Sequence, residues 1–343
     1  MKLSRRHFLY GTGSIAVSAT MPLSLDALAG RERLVTPTEQ AIFKESGSVA
    51  TNCPFRLSVI NDEISQDFEH SCQVASQEFR LNWIELRGMW NKNLIDLNAQ
   101  EIAESRRILE KYNLRVTDIA SPLFKVDWPG APLSKAAEHR DQFHADTEFK
   151  QQDEVLERCI KLAKAYGTDR IRCFDFWRLE DPKPYRAAMD QKLREAAMTC
   201  RKHGLILLLE NEMSCNTATG PEAARALSAI TNSNFMLNWD PGNAGAAGET
   251  KPYPNGYDLL PKKRIGHCHA KNVERKPDGK FTWEPVGIGL VDWPGQLHAL
   301  AADGYTKAVS LETHWRGAGS PEASTRISMQ QLKAALQKAG LSC

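Results

Sequence analysis

Four short segments constrain this chain more than anything else in it: LLLEN (207–211), LNWDPGN (237–243), GHCHAKN (266–272) and SLETHW (310–315). Each is an apolar run of strand length that closes on a residue able to ligate a hard cation, namely Glu210, Asp240, His269 and Glu312. They recur about every 30 to 40 residues, the length of one βα unit. A ligand at the C-terminal end of each of four successive parallel strands is how a (β/α)₈ barrel builds a metal site at its top. One acidic strand end carries little weight, because such residues are commonly solvated or salt-bridged. Four at equivalent positions need a shared explanation.

The rest of the chain supplies the other strands. Short apolar runs predict strands over 55–60, 82–86, 115–119, 170–174, 205–210, 235–240, 265–270 and 307–312. Helices are predicted between them, over 67–79, 98–113, 147–166, 184–203, 220–230, 256–263, 293–303 and 321–339. Eight β/α pairs argue for an α/β chain with a closed parallel barrel rather than an open sheet. Local signals agree. Gly204 follows Arg201, Lys202 and His203 as a helix C-terminus should. Asp292 precedes Trp293-Pro294 as an N-cap precedes a first turn with proline. The connections 120–146 and 271–292 are long and leave C-terminal strand ends, so they are expected over the site as lids or substrate walls.

The N-terminus reads as an address. Ser4-Arg5-Arg6-His7-Phe8-Leu9 is a twin-arginine signature, and Ala27-Leu28-Ala29 offers an A-x-A cleavage site. The expected organisation is a signal peptide over 1–29, a lead-in over 30–54 and one barrel domain over 55–343. The twin-arginine export machinery is then a partner, and the product is periplasmic or otherwise exported. No segment reaches the roughly 18 apolar residues of a membrane span, so no stable membrane insertion is expected after cleavage. A net charge of +2 with scattered Lys and Arg gives no electrostatic footprint for nucleic acid. The eight cysteines include no C-x-x-C pair, and a disulfide framework is not expected.

Three carboxylates and one imidazole, free of thiolate, suit Mn²⁺, Mg²⁺ or Co²⁺, with Zn²⁺ compatible. Such an ion acidifies a C–H flanked by carbonyl and hydroxyl, and carboxylates on either side can remove and return the proton. Glu210 and Glu312, on strands five and eight, are the candidates. Strand alternation puts His267 and His269 on one face and Cys268 on the other, where packing is expected.

The motifs L-E-N, D-P-G-N, H-x-H-x-K and L-E on strands five to eight resemble the xylose-isomerase-like superfamily of TIM barrels, the sugar phosphate isomerases/epimerases, over roughly residues 55 to 340. The resemblance implies that Glu210, Asp240, His269 and Glu312 bind one divalent metal and that the two glutamates form the proton-transfer pair. One departure stands out: Asn243 occupies the position where the epimerases carry a substrate-contacting histidine. Asparagine can hydrogen-bond a sugar hydroxyl but is neither acid nor base. Asn243, His267, Lys271, His314, Glu85 and Trp177 are expected to face substrate, with Arg87 beside Glu85 and with Trp283 and Trp315 as further stacking surfaces.

The leading expectation is a sugar isomerase or epimerase working on a free or keto-sugar through an enediolate. A metal-dependent 3-keto-glycoside lyase would use the same base and ion, with a leaving group beta to the carbanion. The non-enzymatic alternative is an exported sugar-binding barrel without turnover.

Overall fold

A computed structural model describes residues 53–138 and 145–343, so the expected leader over 1–29 and nearly all of the lead-in lie outside the described residues. The strands are β1 (Arg56–Val59), β2 (Trp83–Leu86), β3 (Arg115–Ile119) and β4 (Arg170–Cys173). They continue as β5 (Ile206–Glu210), β6 (Phe235–Trp239), β7 (Ile265–Ala270) and β8 (Ala308–Leu311). All ladders are parallel, in the order β1-β8-β7-β6-β5-β4-β3-β2. The two edges meet at a parallel bridge between Ile60 and Glu85, which closes the sheet into a (β/α)₈ TIM barrel.

Alternation along the strands separates two environments. Outward residues such as Val59, Ile84, Ile171, Leu207, Leu209, Leu237, Cys268 and Val309 join the apolar core under the helices. The inward set is polar and buried, and includes Ser58, Glu85, Asp118, Arg172, Glu210, Asn238, His267, His269 and Ser310. One irregularity sets the phase of β7. Leu237 pairs with Ile265, but Asn238 pairs with His267, so Gly266 is an extra residue. A Cβ there would meet Leu208 Cδ2 at 2.6 Å, so glycine fits where a side chain would not. The bulge leaves Ile265 in the outer core while both histidines turn inward.

The helices are α1 (Phe68–Gln73), α2 (Ala99–Lys111), α3 (Gln152–Tyr166) and α4 (Arg186–Lys202), followed by α5 (Gly220–Ala229), α6 (Pro241–Ala246), α7 (Trp293–Ala302) and α8 (Pro321–Lys338). Capping boxes at Asn98/Glu101 and Thr219/Glu222 start α2 and α5. Asp292 caps α7 by accepting from Gly295 N. None of the described helices is long and apolar enough to cross a membrane.

Two expectations are corrected. The sixth helix starts at Pro241, directly on the strand, rather than over 256–263. Asp240 caps it by accepting from Asn243 N at 2.8 Å and Pro241 suits its first position, whereas Pro252 and Pro254 allow only irregular turns further on. Cys53 and Cys343 form a disulfide across 290 residues, with Cα atoms 4.5 Å apart. Local spacing could not announce a pair at opposite ends of the barrel chain. The six other cysteines are free and buried, Cys268 among them in the apolar core.

Candidate metal centre

The C-terminal ends of β5 to β8 bring Glu210, Asp240, His269 and Glu312 together, with one donor atom from each within 4.8 Å of the others. His269 Nδ1 is the hub. It lies 3.2 Å from Glu210 Oε1, 3.6 Å from Asp240 Oδ2 and 3.2 Å from Glu312 Oε2. Because Asp240 spends Oδ1 on its helix, Oδ2 is the oxygen that faces the group. Three buried carboxylates around one imidazole nitrogen are a donor set for a hard divalent cation, so the residues present fit the expected ion.

Cations hold the group on every side. Lys271 Nζ lies 2.9 Å from Asp240 Oδ2 and 2.5 Å from Glu312 Oε2. Gly242 makes room for that side chain, since a Cβ would meet Lys271 Cγ at 2.6 Å. Arg172 Nη1 is 3.0 Å from Glu210 Oε2, and Arg87 Nη1 is 2.9 Å from Glu312 Oε1. Each glutamate therefore has its own guanidinium. Burial disfavours the charge of Glu210, but His269 and Arg172 outweigh it and hold its carboxyl down at about 2. Glu312 is likewise opposed by burial and drawn well below the usual carboxylate range by Lys271, His314 and His269. His269 is opposed by burial and drawn well above its ordinary value by Glu85, Glu210 and Glu312.

The other expected substrate-facing residues fall in different places. His314 stands at the half-buried rim, 3.3 Å from Glu312 Oε1, with its ring edge-on to Trp283 at 5.0 Å. Glu85 and His267 lie beneath the four-residue group instead of on its open side, because they precede the strand ends. Glu85 Oε1 is 3.0 Å from His269 Nε2 and Glu85 Oε2 is 3.0 Å from His267 Nε2, with all three side chains fully buried. Asn243 is turned toward Glu210, with Nδ2 donating to Glu210 Oε1 at 3.2 Å and to Asn211 O at 3.0 Å. Trp177 is buried beside Phe174 and Cys215, and Lys125 Nζ, 5.4 Å from its ring, is the link toward Glu212 at 3.7 Å.

Two members of the interior escaped sequence reading. Arg172 on β4 and Asp118 on β3 are charges inside strands, RIRC and RVTDI, and that placement is the signal that could have found them. Asp118 Oδ1 lies 3.5 Å from His267 Nδ1, so a carboxylate–imidazole chain runs from Asp118 through His267 and Glu85 to His269.

A family model for the xylose isomerase-like TIM barrel matches residues 75–335. The chain belongs to the xylose isomerase-like TIM barrel family. No curated protein matches it in sequence. Among solved structures of this fold, it resembles a xylose isomerase-like TIM barrel protein from Mycobacterium smegmatis in complex with magnesium, at 17% identity and a TM-score of 0.58, over 84% of this chain and 98% of that one. It also resembles the probable 3-DHS dehydratase AsbF from Bacillus anthracis, at 20% identity and a TM-score of 0.60, over 82% and 98% of the two chains. A third likeness is to D-psicose 3-epimerase with D-tagatose from Clostridium cellulolyticum H10, at 14% identity and a TM-score of 0.58, over 84% and 100%. At these identities the likeness speaks for the xylose isomerase-like fold.

Proposed function

We propose that this member of the family is a divalent-metal-dependent sugar isomerase or epimerase that moves a proton through an enediolate on a free or keto-sugar. The observation that carries the reading is the convergence of Glu210, Asp240, His269 and Glu312 at the ends of β5 to β8. These four residues would hold Mn²⁺, Mg²⁺ or Co²⁺, with Zn²⁺ compatible. When bound, such an ion supplies Lewis acidity toward a carbonyl and its neighbouring hydroxyl.

The protein's own residues do the rest. Glu210 and Glu312 are both held ionised at neutral pH, Glu210 down to about 2, so either can accept a proton at a carboxylate oxygen. A carboxylate held that low is a weak base, and it serves only a C–H that has been made acidic. Strands β5 and β8 stand three places apart around the barrel of eight, so the pair can address a substrate plane from two sides. Arg172 and Arg87 fix the carboxylates from behind and limit their movement. Trp283 and His314 form the rim through which a sugar would enter.

A second reading is β-elimination from a 3-keto-glycoside by the same base. The likeness to a probable dehydratase favours keeping it, since a dehydration is itself an elimination. Export by the twin-arginine route also belongs to the proposal. It is supported by the N-terminal signature and by the Cys53–Cys343 bond, which suits an oxidising compartment.

The test is hydrogen exchange. With Mn²⁺-loaded protein in D₂O, the right keto-sugar should take deuterium at the carbon beside its carbonyl. Glu210→Gln and Glu312→Gln should each slow that exchange by about 100-fold or more. Exchange with no keto-sugar, or variants that match wild type, would sink the reading. Release of free aglycone from a 3-keto-glycoside would select the elimination instead.

A further inference from the structure

The hairpin that follows β7 builds a second recess beside the four-residue group. Its strands, Asn272–Arg275 and Phe281–Glu284, pair antiparallel, with Val273 opposite Trp283 and Arg275 opposite Phe281. Phe281 and Trp283 are two residues apart on one strand and share a face. Their rings meet edge to face at 5.2 Å. At the inner end, the Trp283 ring lies 5.2 Å from Lys271 Nζ and 5.0 Å from the His314 ring, so it forms one wall of the metal centre's mouth. At the outer end, Trp283 and Phe281 line a cleft of about 720 Å³ with Lys280, Arg275, Arg178 and Met213. That volume lies within the range of small-molecule sites, roughly 300–1,000 Å³.

The charge of the cleft points to what it takes. Arg275 Nη1 donates to the carbonyl oxygens of Gly245 and Ala246 at 3.3 and 3.0 Å, and Nη2 donates to Gly279 O at 3.1 Å. Carbonyl dipoles position a guanidinium without cancelling its charge. Across the cleft, Arg178 is matched by Glu222. Lys280 is exposed, with Asp278 at 3.6 Å. The cleft thus sets two aromatic side chains beside Arg275, a guanidinium held by carbonyls while the other two cations have carboxylate partners, a surface that favours a flat ring carrying an anion.

We propose that this cleft binds an aromatic, negatively charged group, carried by the substrate as the non-reacting substituent of its sugar. Trp283 is the shared wall that joins the two halves of such a molecule. The inference rests on the reading of the four-residue group as the sugar's site, and it narrows the substrate to an aryl glycoside with an acidic ring substituent.

The aglycone end can be tested alone. 4-Hydroxybenzoate titrated into the Mg²⁺-loaded protein, followed by saturation-transfer NMR and calorimetry, should bind at least tenfold more tightly than neutral 4-hydroxybenzyl alcohol. Phe281→Ala should weaken it at least tenfold, and Lys280→Glu, at an exposed position that leaves the fold intact, at least threefold. Absence of binding, or binding that both substitutions leave unchanged, overturns the proposal. Binding of the acid without any keto-sugar exchange would keep the cleft and discard the proposed reaction. Exchange without binding of the acid would keep the reaction and discard the cleft.

Discussion

Glu85 Oε1 lies 3.0 Å from His269 Nε2, on the side of the ring opposite Nδ1 and its three carboxylates. With Nε2–H donating to Glu85, it is the Nδ1 proton that an ion would displace, leaving Nδ1 as the lone-pair donor among Glu210, Asp240 and Glu312. The same carboxylate takes His267 on its other oxygen, so one buried residue orients both imidazoles. Glu85→Gln retains the size of the side chain but loses its charge and one of its two acceptor oxygens. It should weaken divalent-ion affinity by about 10- to 100-fold, as loss of such an outer partner commonly does. Competition against a metallochromic chelator would measure it, and unchanged affinity would show that the ring is held by other means.

Arg172 is the buried partner of Glu210. Arg172→Met removes the charge while retaining an unbranched apolar chain, and leaves a buried carboxylate facing fewer cations. The metal-free protein should lose about 3–5 kcal/mol of stability in urea unfolding. Added Mn²⁺ should restore part of it, because an ion supplies the missing positive charge. A loss that Mn²⁺ does not touch would place the role of Arg172 in packing alone.

Asp118 supplies a pH dependence. Burial, with the charge of Glu85 beside it, raises its carboxyl to about 6, against roughly 3.9 for an unfolded aspartate. From about pH 4 to 6 the unfolded chain releases this proton while the fold keeps it, so the residue lowers stability as pH rises through that window. Asp118→Asn removes the effect and offers an amide donor to His267 Nδ1, which takes no hydrogen bond. The variant should be about 1–3 kcal/mol more stable than wild type at pH 7, and the gain should vanish below about pH 4. Denaturant unfolding across that range would show it, and a gain independent of pH would contradict the assignment.

The Cys53–Cys343 bond joins the first and last of the described residues. Cross-linking across so long a loop restricts the unfolded state most, and its loss should cost about 2–5 kcal/mol. Cys53→Ser should therefore melt lower than wild type under oxidising conditions and alike under reducing ones. Equal melting in both conditions would mean that the bond carries no stability.

The eight strands were legible because a fully buried parallel strand is a continuous apolar run, and the sequence ranges agree with β1 to β8 to within a residue or two. The convergence of Glu210, Asp240, His269 and Glu312 was legible for the same reason, since strand ends in a barrel all point to one rim. What lay deeper was not. Whether Glu85 meets His269, or Arg172 meets Glu210, depends on the stagger between strands, and single charges within WIEL and RIRC do not reveal their partners. Asn243 shows a related limit: its spacing from Asp240 put it at the site, but the helix that starts on Pro241 turned it toward Glu210. The Gly266 bulge was equally hidden, because it is defined by the neighbouring strand.

The bond between Cys53 and Cys343 also changes what a break in the chain means. From Cys53 onward the described polypeptide is a covalent circle, and a circle cut once is still one molecule. A protease that nicks any surface loop of the barrel would leave two fragments held by sulfur, with their strands still neighbours. The nicked protein should migrate as a single species until a reductant is added.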